Sequence, residues 1–354
     1  MRVLHVHRMR GIGGSERHLL TLLPALAERG IDVAFVGLDD PGWDPSDFYG
    51  ALTVPALRLR SARDVDPLLL ARLLRALEAD VVHTHLVHAD LYGGVAAKLR
   101  GTKLVSTKHN DDPFRRGAFR HVERQLLRMA DRVVTITDAL RDFTVQQVGA
   151  PESKVQTIHY GLDGLPEPWG DNPPDPVPAG ARVLLSTSRL TEQKGIDVAI
   201  RSLSSLPDDT VLVVLGEGPE RTRLEALARE LGVERRVFLL GRVPDVAAWL
   251  RRATVYVHPA RWEGFGLGVL EAMHASLPVV ATRASSLPEL VVDGVTGRLV
   301  PVDDAQGLAA AIVAALDEPE LGAAGHERAL SEFSVARMVD RHAALYATLA
   351  SASS

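Results

Sequence analysis

Residues 2–40, "RVLHVHRMRGIGGSERHLLTLLPALAERGIDVAFVGLDD", decide how the chain begins to fold. A short β-rich apolar run opens the segment, a glycine-rich turn follows, and apolar residues then recur at helical spacing as far as Glu28. A second β-rich run, "DVAFVGL", comes after Gly30. This order predicts a strand, a helix and a second strand parallel to the first, the unit that builds parallel sheets with helices on both faces.

The same alternation continues and later restarts. "DVVHTH", "TKLVSTKH" and "RVVTIT" extend it, and "RVLLSTSRL", "TVLVVLGEG" and "TVYVHP" begin it again. Between the two series, residues 167–181 hold five prolines, which is typical of a linker. We predict an α/β protein of two doubly wound domains, residues 1–166 and 182–333, with a helix in 334–354 that packs back on the first domain.

Composition narrows the possible functions. A chain of 354 residues can bury two cores, and a net charge of −5 gives no reason to expect a nucleic-acid partner. The absence of cysteine excludes disulfides, thiolate catalysis and cysteine metal ligands. The start "MRVLHVHRMRG" lacks the apolar run of a signal peptide and no apolar stretch is long enough to span a bilayer, so we expect a cytoplasmic protein.

The glycine turn "HRMRGIGGSERH" opens the first helix, where backbone N–H groups and the positive helix end can receive an anion. A dinucleotide fingerprint would need a third glycine where this chain has Glu16. Asp39 and Asp40 nevertheless end the second strand, where a ribose-binding acid would lie, so a nicotinamide-dependent oxidoreductase stays an alternative. No P-loop pattern is present, which removes the ordinary phosphoryl-transfer NTPases.

Histidines cluster at the predicted strand ends. Strand spacing places His83 and His85 on one face, which allows a metal site, but no cysteine or close carboxylate completes a tetrahedral set. His109 closes "KLVSTKHND" at another strand end, where we expect its side chain to point into a cleft between the two domains.

Two glutamates stand eight positions apart in "ARWEGFGLGVLEAM", residues 260–273. The glycines in its first half predict a loop, with a helix that begins near residues 266–268. Glu263 would then precede the helix and Glu271 would lie in its first turns. Two acids so placed suit two parts of one long ligand, for instance the sugar and the ribose of a nucleotide sugar.

Four longer stretches of the sequence carry a recognisable pattern: "GIGGSERHLLTLLPALAERG", "STSRLTEQKGIDVAI", "VLGEGPERTRLEALARELG" and "GRVPDVAAWLRRATVYVHPARWEGFGLGVLEAM". Together they resemble the retaining nucleotide-sugar glycosyltransferases of family four. The resemblance implies the GT-B architecture, in which two Rossmann-like domains face a cleft, the first on the acceptor side and the second on the donor side. It implies transfer of a sugar, with retention and by front-face attack, from a UDP- or GDP-sugar. The acceptor would be a cell-envelope lipid or polysaccharide, or a natural-product glycoside.

The resemblance also implies roles for single residues. Arg189 and Lys194 would hold the diphosphate in place of the divalent metal that other transferases use, so no metal or cofactor is expected. Glu263 would bond a sugar hydroxyl, Glu271 the ribose, and His109 would contact the donor sugar. The remaining implied donor-binding positions are Gly13, Gly14, Gly216, Val243, Gly264, Phe265, Gly266 and Leu267. The stretch "RASSLPEL" departs from the family pattern, because Ser285 and Ser286 replace a common glycine pair.

Two questions stay open at this point. A phosphorylase or hydrolase of the same architecture, or a sugar-nucleotide binding protein without turnover, would share much of this pattern. In addition, Arg116, Arg120, Arg124 and Arg128 recur at helical spacing and could contact anionic lipid at the inner face of a membrane. Glu123 and Asp131 dilute that basic face, which favours an ordinary solvated helix.

Overall fold

The computed structural model describes residues 1–9, 12–40, 42–60, 67–76, 78–111, 115, 117–165 and 176–351. The chain forms two compact units. The first comprises Met1–Gly161 with Phe333–Ser354, and the second comprises Leu162–Glu332. Most of the predicted linker, 167–181, lies outside the described residues, so the linker stays a prediction.

The first unit is built on a parallel sheet of seven strands in the order β3-β2-β1-β4-β5-β6-β7. The strands are β1 (Arg2–Met9), β2 (Asp32–Asp39), β3 (Ala56–Arg60), β4 (Val81–His85), β5 (Lys103–Lys108), β6 (Arg132–Thr135) and β7 (Val155–Thr157). Its α-helices before Gly161 are α1 (Gly14–Glu28), α2 (Ser46–Ala51), α3 (Pro67–Ala76), α4 (Leu86–Ala89), α5 (Val95–Arg100), α6 (Arg120–Met129) and α7 (Asp138–Asp142).

The second unit has a parallel sheet of six strands in the order β10-β9-β8-β11-β12-β13. The strands are β8 (Arg182–Thr187), β9 (Thr210–Leu215), β10 (Val237–Gly241), β11 (Val255–His258), β12 (Val279–Thr282) and β13 (Arg298–Val300). Its α-helices are α8 (Ile196–Ser202), α9 (Arg221–Glu230), α10 (Val246–Arg252), α11 (Leu267–His274), α12 (Leu287–Leu290), α13 (Ala305–Leu316) and α14 (Glu320–Glu332).

The central strands have continuous apolar sequences because both of their faces are buried. Every residue of β9, "TVLVVL", is buried, as a parallel strand covered by helices on both faces must be. Leu184, Leu212 and Val257 pack in one core with residues of α8, α9 and α13. The predicted α/β class with two doubly wound sheets is therefore confirmed.

The last helix, α15 (Val335–Ser351), belongs to the first unit although it ends the chain. It contacts α1 and β4, and it buries Met338, Leu345 and Tyr346 in the core that also holds Val3 and Leu19. Within the described residues, no helix is both long and apolar enough to cross a membrane.

Candidate active site

Three of the four predicted catalytic residues lie in the two loops that follow the central strands of the second unit. β8 pairs with β11 in the middle of the sheet, at the point where the strand order changes direction. Ligands of doubly wound sheets bind beyond the carboxyl ends of the strands at such a point. Arg189 and Lys194 follow β8, and Glu263 follows β11.

Polar contacts join the loop after β8 to the loop after β11. Arg261 binds the buried carboxylate of Asp197 with both guanidinium ends, at 3.1 and 2.9 Å, and contacts Asp303 at 2.8 Å. Burial would raise the pKa of Asp197, but the hydrogen bonds and charge of Arg261 lower it. The backbone carbonyl of Gln193 accepts a hydrogen bond from the backbone amide of Arg261 at 2.8 Å. The side-chain amide of Gln193 donates to the backbone carbonyl of Trp262 at 3.0 Å. The two loops thus form one hydrogen-bonded platform.

Gly195 lets these loops approach each other. Its φ is +62°, and a Cβ atom there would lie 2.0 Å from the carbonyl oxygen of Pro259. Only glycine combines that backbone conformation with that approach. The position of the adjacent Lys194 against the second loop therefore depends on Gly195.

Lys194, His258 and Glu263 form a compact charged cluster on the platform. One carboxylate oxygen of Glu263 contacts Lys194 Nζ at 2.5 Å and His258 Nε2 at 2.7 Å, and the other accepts the Gly264 amide at 3.0 Å. Burial would raise the pKa of Glu263, but the charge of Lys194 and the bonds from His258 and Lys194 outweigh it and hold the pKa well below its usual range. Glu263 is therefore ionised at neutral pH.

Arg189 stands apart from this cluster. Its side chain is exposed. Its guanidinium forms no hydrogen bond or ion pair with any residue that the structure describes. The two predicted cations thus lie in one loop but differ in state, since Lys194 is already paired and Arg189 has its full charge available.

The glycine-rich segment 264–268 ends the second loop and starts α11. Gly266 has φ +102° and precedes the helix, which begins at Leu267 as the sequence predicted. A Cβ atom at Gly268 would lie 2.3 Å from the Tyr256 hydroxyl. The Phe265 side chain is buried. The hydroxyl of buried Ser286 lies 3.1 Å from the carbonyl oxygens of both Glu263 and Phe265, which fixes the loop.

The other predicted positions of the second unit lie near neighbouring strand ends. Glu271 is half-buried on α11, and its charge adds to the rise that burial causes in the pKa of Tyr256. Gly216 follows β9, where a Cβ atom would lie 2.1 Å from the carbonyl oxygen of Ser188. Val243 is half-buried in the loop after β10.

In the first unit, the described part of the glycine turn includes a helix cap. Gly13 precedes α1, and its amide donates to Glu16 Oε2 at 2.9 Å. Glu16, which stands where the fingerprint has its third glycine, thus accepts a hydrogen bond from an amide that we expected to face a ligand. Gly14 is exposed at the start of the helix, and Gly11 lies outside the described residues.

His109 lies among buried side chains at the end of β5. Its Nε2 is 3.0 Å from His85 Nδ1, and its Nδ1 is hydrogen-bonded to the Tyr160 hydroxyl. Both ring nitrogens therefore already have partners within the first unit. A contact from the ring to a sugar would require one of these bonds to be exchanged.

The structure brings His83 and His85 to one face of the sheet, as predicted, and adds His5 from the neighbouring strand. One ring nitrogen from each lies within 4.8 Å of the others, close enough to share a metal ion. However, these rings are hydrogen-bonded to one another and to Tyr346 and Thr107. Their nitrogens are thus satisfied by protein groups.

The basic helix needs one correction. Glu123 does not dilute its exposed face, because the side chain is fully buried and paired with Arg115 at 2.8 Å. Asp131 pairs with Lys98 at 2.9 Å. The exposed residues of α6 are Arg120, His121, Val122, Gln125 and Arg128, whereas Arg124 is half-buried and Arg116 lies outside the described residues.

Sequence reasoning missed His258 and Ser286. His258 ends β11 five residues before Glu263, and its position at the carboxyl end of a central strand was the available signal. Ser286 was noted only as a departure from a pattern. Its contacts to two carbonyl oxygens depend on folding across more than 20 residues of sequence and had no local signal.

Comparisons with known proteins agree on one family along the chain. A family model described as glycosyltransferase family 4 matches residues 12–163, and one described as glycosyl transferases group 1 matches residues 172–331. The lipopolysaccharide core biosynthesis glycosyltransferase LpsE of Rhizobium meliloti is 28% identical, over 98% of this chain and 99% of its own. The lipopolysaccharide core biosynthesis mannosyltransferase LpcC of Rhizobium leguminosarum is 29% identical, over 96% and 94%.

A solved structure shows the same fold. HepE of Anabaena, in complex with UDP and glucose, superposes with a TM-score of 0.86 over 98% of this chain and 100% of its own, at 22% identity.

Proposed function

This chain belongs to the glycosyltransferases of family four and has the GT-B fold, and on that premise we propose that it transfers a sugar from a nucleoside-diphosphate donor with retention and without a metal ion. The observation that carries the proposal is the cluster of Lys194, His258 and Glu263, with exposed Arg189 in the same loop as Lys194. The cluster lies beyond the switch point of the second sheet, where a phosphate-bearing ligand is expected.

The charges fit the reaction. When the bond between the anomeric carbon and the diphosphate oxygen breaks, negative charge grows on the phosphates and positive charge on the sugar ring. Arg189 can meet the phosphates directly, and Lys194 can divide its charge between the phosphates and Glu263. The acceptor oxygen attacks from the face that the diphosphate leaves, and its proton passes to the departing phosphate oxygen.

Glu263 can also bind the sugar. An ionised carboxylate offers about four lone-pair sites. Lys194, His258 and the Gly264 amide use three of these sites. We assign the remaining site to a sugar hydroxyl and Glu271, farther along α11, to the ribose.

Nucleotide binding is the first test. We expect UDP or GDP to raise the melting temperature of the protein, because a ligand that binds only the folded state stabilises it by mass action. HepE was solved with UDP and with UDP-glucose, which favours UDP as the first ligand to try. If no nucleoside diphosphate binds, the proposal fails; binding without turnover of any donor would indicate a binding protein.

Metal independence and retention have their own tests. Turnover should survive excess EDTA, since Arg189 and Lys194 supply the positive charge that a metal would provide. Loss of activity that magnesium or manganese restores would contradict this. NMR of the first-formed product should show the anomeric configuration of the donor, and inversion would exclude the front-face step.

For the acceptor, we propose a lipid-linked or cell-envelope glycan, because the named relatives act in lipopolysaccharide core biosynthesis. The exposed face of α6 that carries Arg120 and Arg128 would hold the protein weakly at an anionic inner membrane face. Flotation with vesicles of anionic phospholipid tests this. Arg120→Glu with Arg128→Glu should abolish binding, and equal binding to uncharged vesicles would contradict it.

A further inference from the structure

One face of the first sheet collects buried histidines, and among them only His109 is given a part in the reaction by the family resemblance. β1 and β4 pair so that His5 lies opposite His83 and His7 opposite His85. Helices α1 and α15 also contribute buried histidines to this region. The buried members are His5, His7, His18, His83, His85, His109 and His342.

Four of these histidines, with two tyrosines and a threonine, form one continuous series of hydrogen bonds, here called the histidine relay. Its members in order are Tyr160, His109, His85, His5, Tyr346, His83 and Thr107. The N–N distances are 3.0 Å from His109 to His85 and 2.9 Å from His85 to His5. Tyr346 links the last two histidines, at 3.4 Å from His5 Nε2 and 2.5 Å from His83 Nδ1.

The four rings of the relay are neutral. Burial lowers the pKa of each of them well below the usual histidine value, and the neighbouring histidines lower it further. A neutral imidazole has one N–H donor and one acceptor nitrogen. Each bond between two rings therefore needs a donor on one side and an acceptor on the other.

The connectivity couples the tautomers. Each bond between two histidines joins Nε2 of one ring to Nδ1 of the next, so if His109 is protonated at Nε2, His85 and His5 must be protonated there too. The opposite arrangement protonates all three at Nδ1. Mixed tautomers would set two protons or two lone pairs against each other inside the core.

The tyrosines select one of the two arrangements. A phenol is more acidic than a neutral imidazole N–H or an aliphatic hydroxyl, so it preferentially donates to an imidazole nitrogen. Tyr160 would donate to His109 Nδ1, and Tyr346 would donate to His83 Nδ1. Both place the histidine proton on Nε2, and His83 then donates to Thr107, 2.6 Å away. The two tyrosines thus favour the same direction.

We propose that the histidine relay sets the tautomer of His109, so that Tyr346 of the last helix is a positioning residue for a side chain it reaches only through His5 and His85. The consequence for turnover rests on the proposed function together with the contact between His109 and the donor sugar that the family resemblance implies. The tautomer itself can be measured without any substrate.

The test is the imidazole nitrogen spectrum of the full-length protein labelled with ¹⁵N-histidine. Long-range ¹H–¹⁵N correlations distinguish the two neutral tautomers from a charged or a metal-bound ring, and His109→Gln identifies the His109 signals. We expect His5, His83, His85 and His109 all to be protonated at Nε2. Mixed tautomers, a charged ring or a metal-bound ring would overturn the proposal.

Tyr346→Phe then interrupts the relay. It leaves the Nε2 proton of His5 buried without an acceptor, a costly arrangement. Moving the protons of His5, His85 and His109 to Nδ1 removes that cost, so the His109 signals should shift toward the Nδ1 tautomer. Tyr92→Phe is the matched control, because Tyr92 is also buried in the first unit but lies outside the relay. Unchanged His109 signals in a folded Tyr346→Phe protein would refute the coupling.

A second pair covers the case in which Tyr346→Phe does not fold. Thr107→Val removes the acceptor for His83 at nearly constant volume, and Thr107→Ser keeps it. We expect the valine variant to reverse the relay and the serine variant to retain the original tautomers; the same spectrum for both would overturn the proposal.

Kinetics separate this inference from the proposed function. If His109 serves the reaction, Tyr346→Phe should lower kcat about tenfold, the lower range for losing a partner that orients a functional side chain. A changed tautomer with unchanged kcat would keep the relay and remove His109 from the reaction. A lower kcat with an unchanged tautomer would overturn the relay.

Discussion

The two units hold buried ionisable groups in opposite ways. In the second unit, Glu263 stays charged because Lys194 and His258 face its carboxylate. In the first unit, burial lowers the pKa of His85 well below its usual value, and the histidines that its ring nitrogens face lower it further, so the ring stays neutral. Burial opposes charge in both places, and the charge of the nearest partner decides the outcome.

The largest effect should come from removing the charge of Lys194. We expect Lys194→Ala to lower kcat at saturating donor at least about 100-fold, roughly 2.7 kcal/mol, because the leaving group gains charge in the transition state. Arg189→Ala should have a similar effect, and the double variant should lose less than the sum because both act on one diphosphate. Steady-state kinetics on folded protein measure this. A near-normal kcat for Lys194→Ala would mean that Lys194 does not stabilise the leaving group and serves only to pair with Glu263.

The two glutamates should differ in kind. Glu263→Gln should mainly lower kcat, since it weakens both the sugar contact and the pairing of Lys194. Glu271→Gln should raise KM for the donor and weaken binding of free nucleotide by about 1 to 3 kcal/mol. Calorimetry with UDP and GDP checks the second value. If nucleotide affinity is unchanged, the Glu271 carboxylate is not on the ribose.

The neutral network should make the protein sensitive to acid. Burial lowers the pKa of His5 to about 3 and that of His342 to about 4, whereas unfolded histidine titrates near 6.5. The unfolded chain therefore binds more protons below about pH 6.5, and stability is full above that value and falls as pH decreases. Each such histidine should cost about 2 kcal/mol between pH 7 and pH 5. Glu263 does not account for this loss of stability, because the stabilisation from its lowered pKa is present above about pH 4.5 and is lost only as the pH falls below that value.

Denaturant unfolding at pH 7 and pH 5 measures this difference. His342→Gln should reduce the loss of stability between the two values, and His121→Gln, on the exposed face of α6, should leave it unchanged. An equal slope for both variants would mean that His342 is not held neutral in the folded state.

The smallest expected effect concerns the loop that carries Glu263. Ser286→Ala removes a hydroxyl whose one proton can be donated to either of two loop carbonyls, and it should cost about 1 kcal/mol of stability, with a rise in donor KM of a few fold. Ser285→Ala is the control, because that side chain is exposed at φ +43°. Thermal unfolding and donor kinetics of the pair decide whether the serine substitution of the family pattern has a function.

The fold followed from sequence because its signals are local. The apolar run of β9 and the glycines before α11 each act within a few residues, and both predicted elements are present. The proposed role of Lys194 comes from a motif and stays a prediction, whereas its ion pair with Glu263 spans 69 positions and had no sequence signal.

The histidine relay was harder to predict from the sequence than the fold or the Lys194 motif. His83 and His85 could be placed on one face by strand spacing, yet the Tyr346 contact to His83 spans 263 positions. The burial of Glu123 was also unpredictable, because helical spacing shows which residues share a face but not which face packs inward.

The position of α15 has a consequence for how the chain is made. The first unit starts at Met1, yet the helix that completes its core arrives only with Val335–Ser351. At the usual rate of about 5 to 20 residues per second, the ribosome spends roughly 10 to 35 seconds on the second unit in between. During that interval the histidine-lined face lacks its last cover. The unit that is synthesised first therefore cannot complete its core until almost the whole chain has been made.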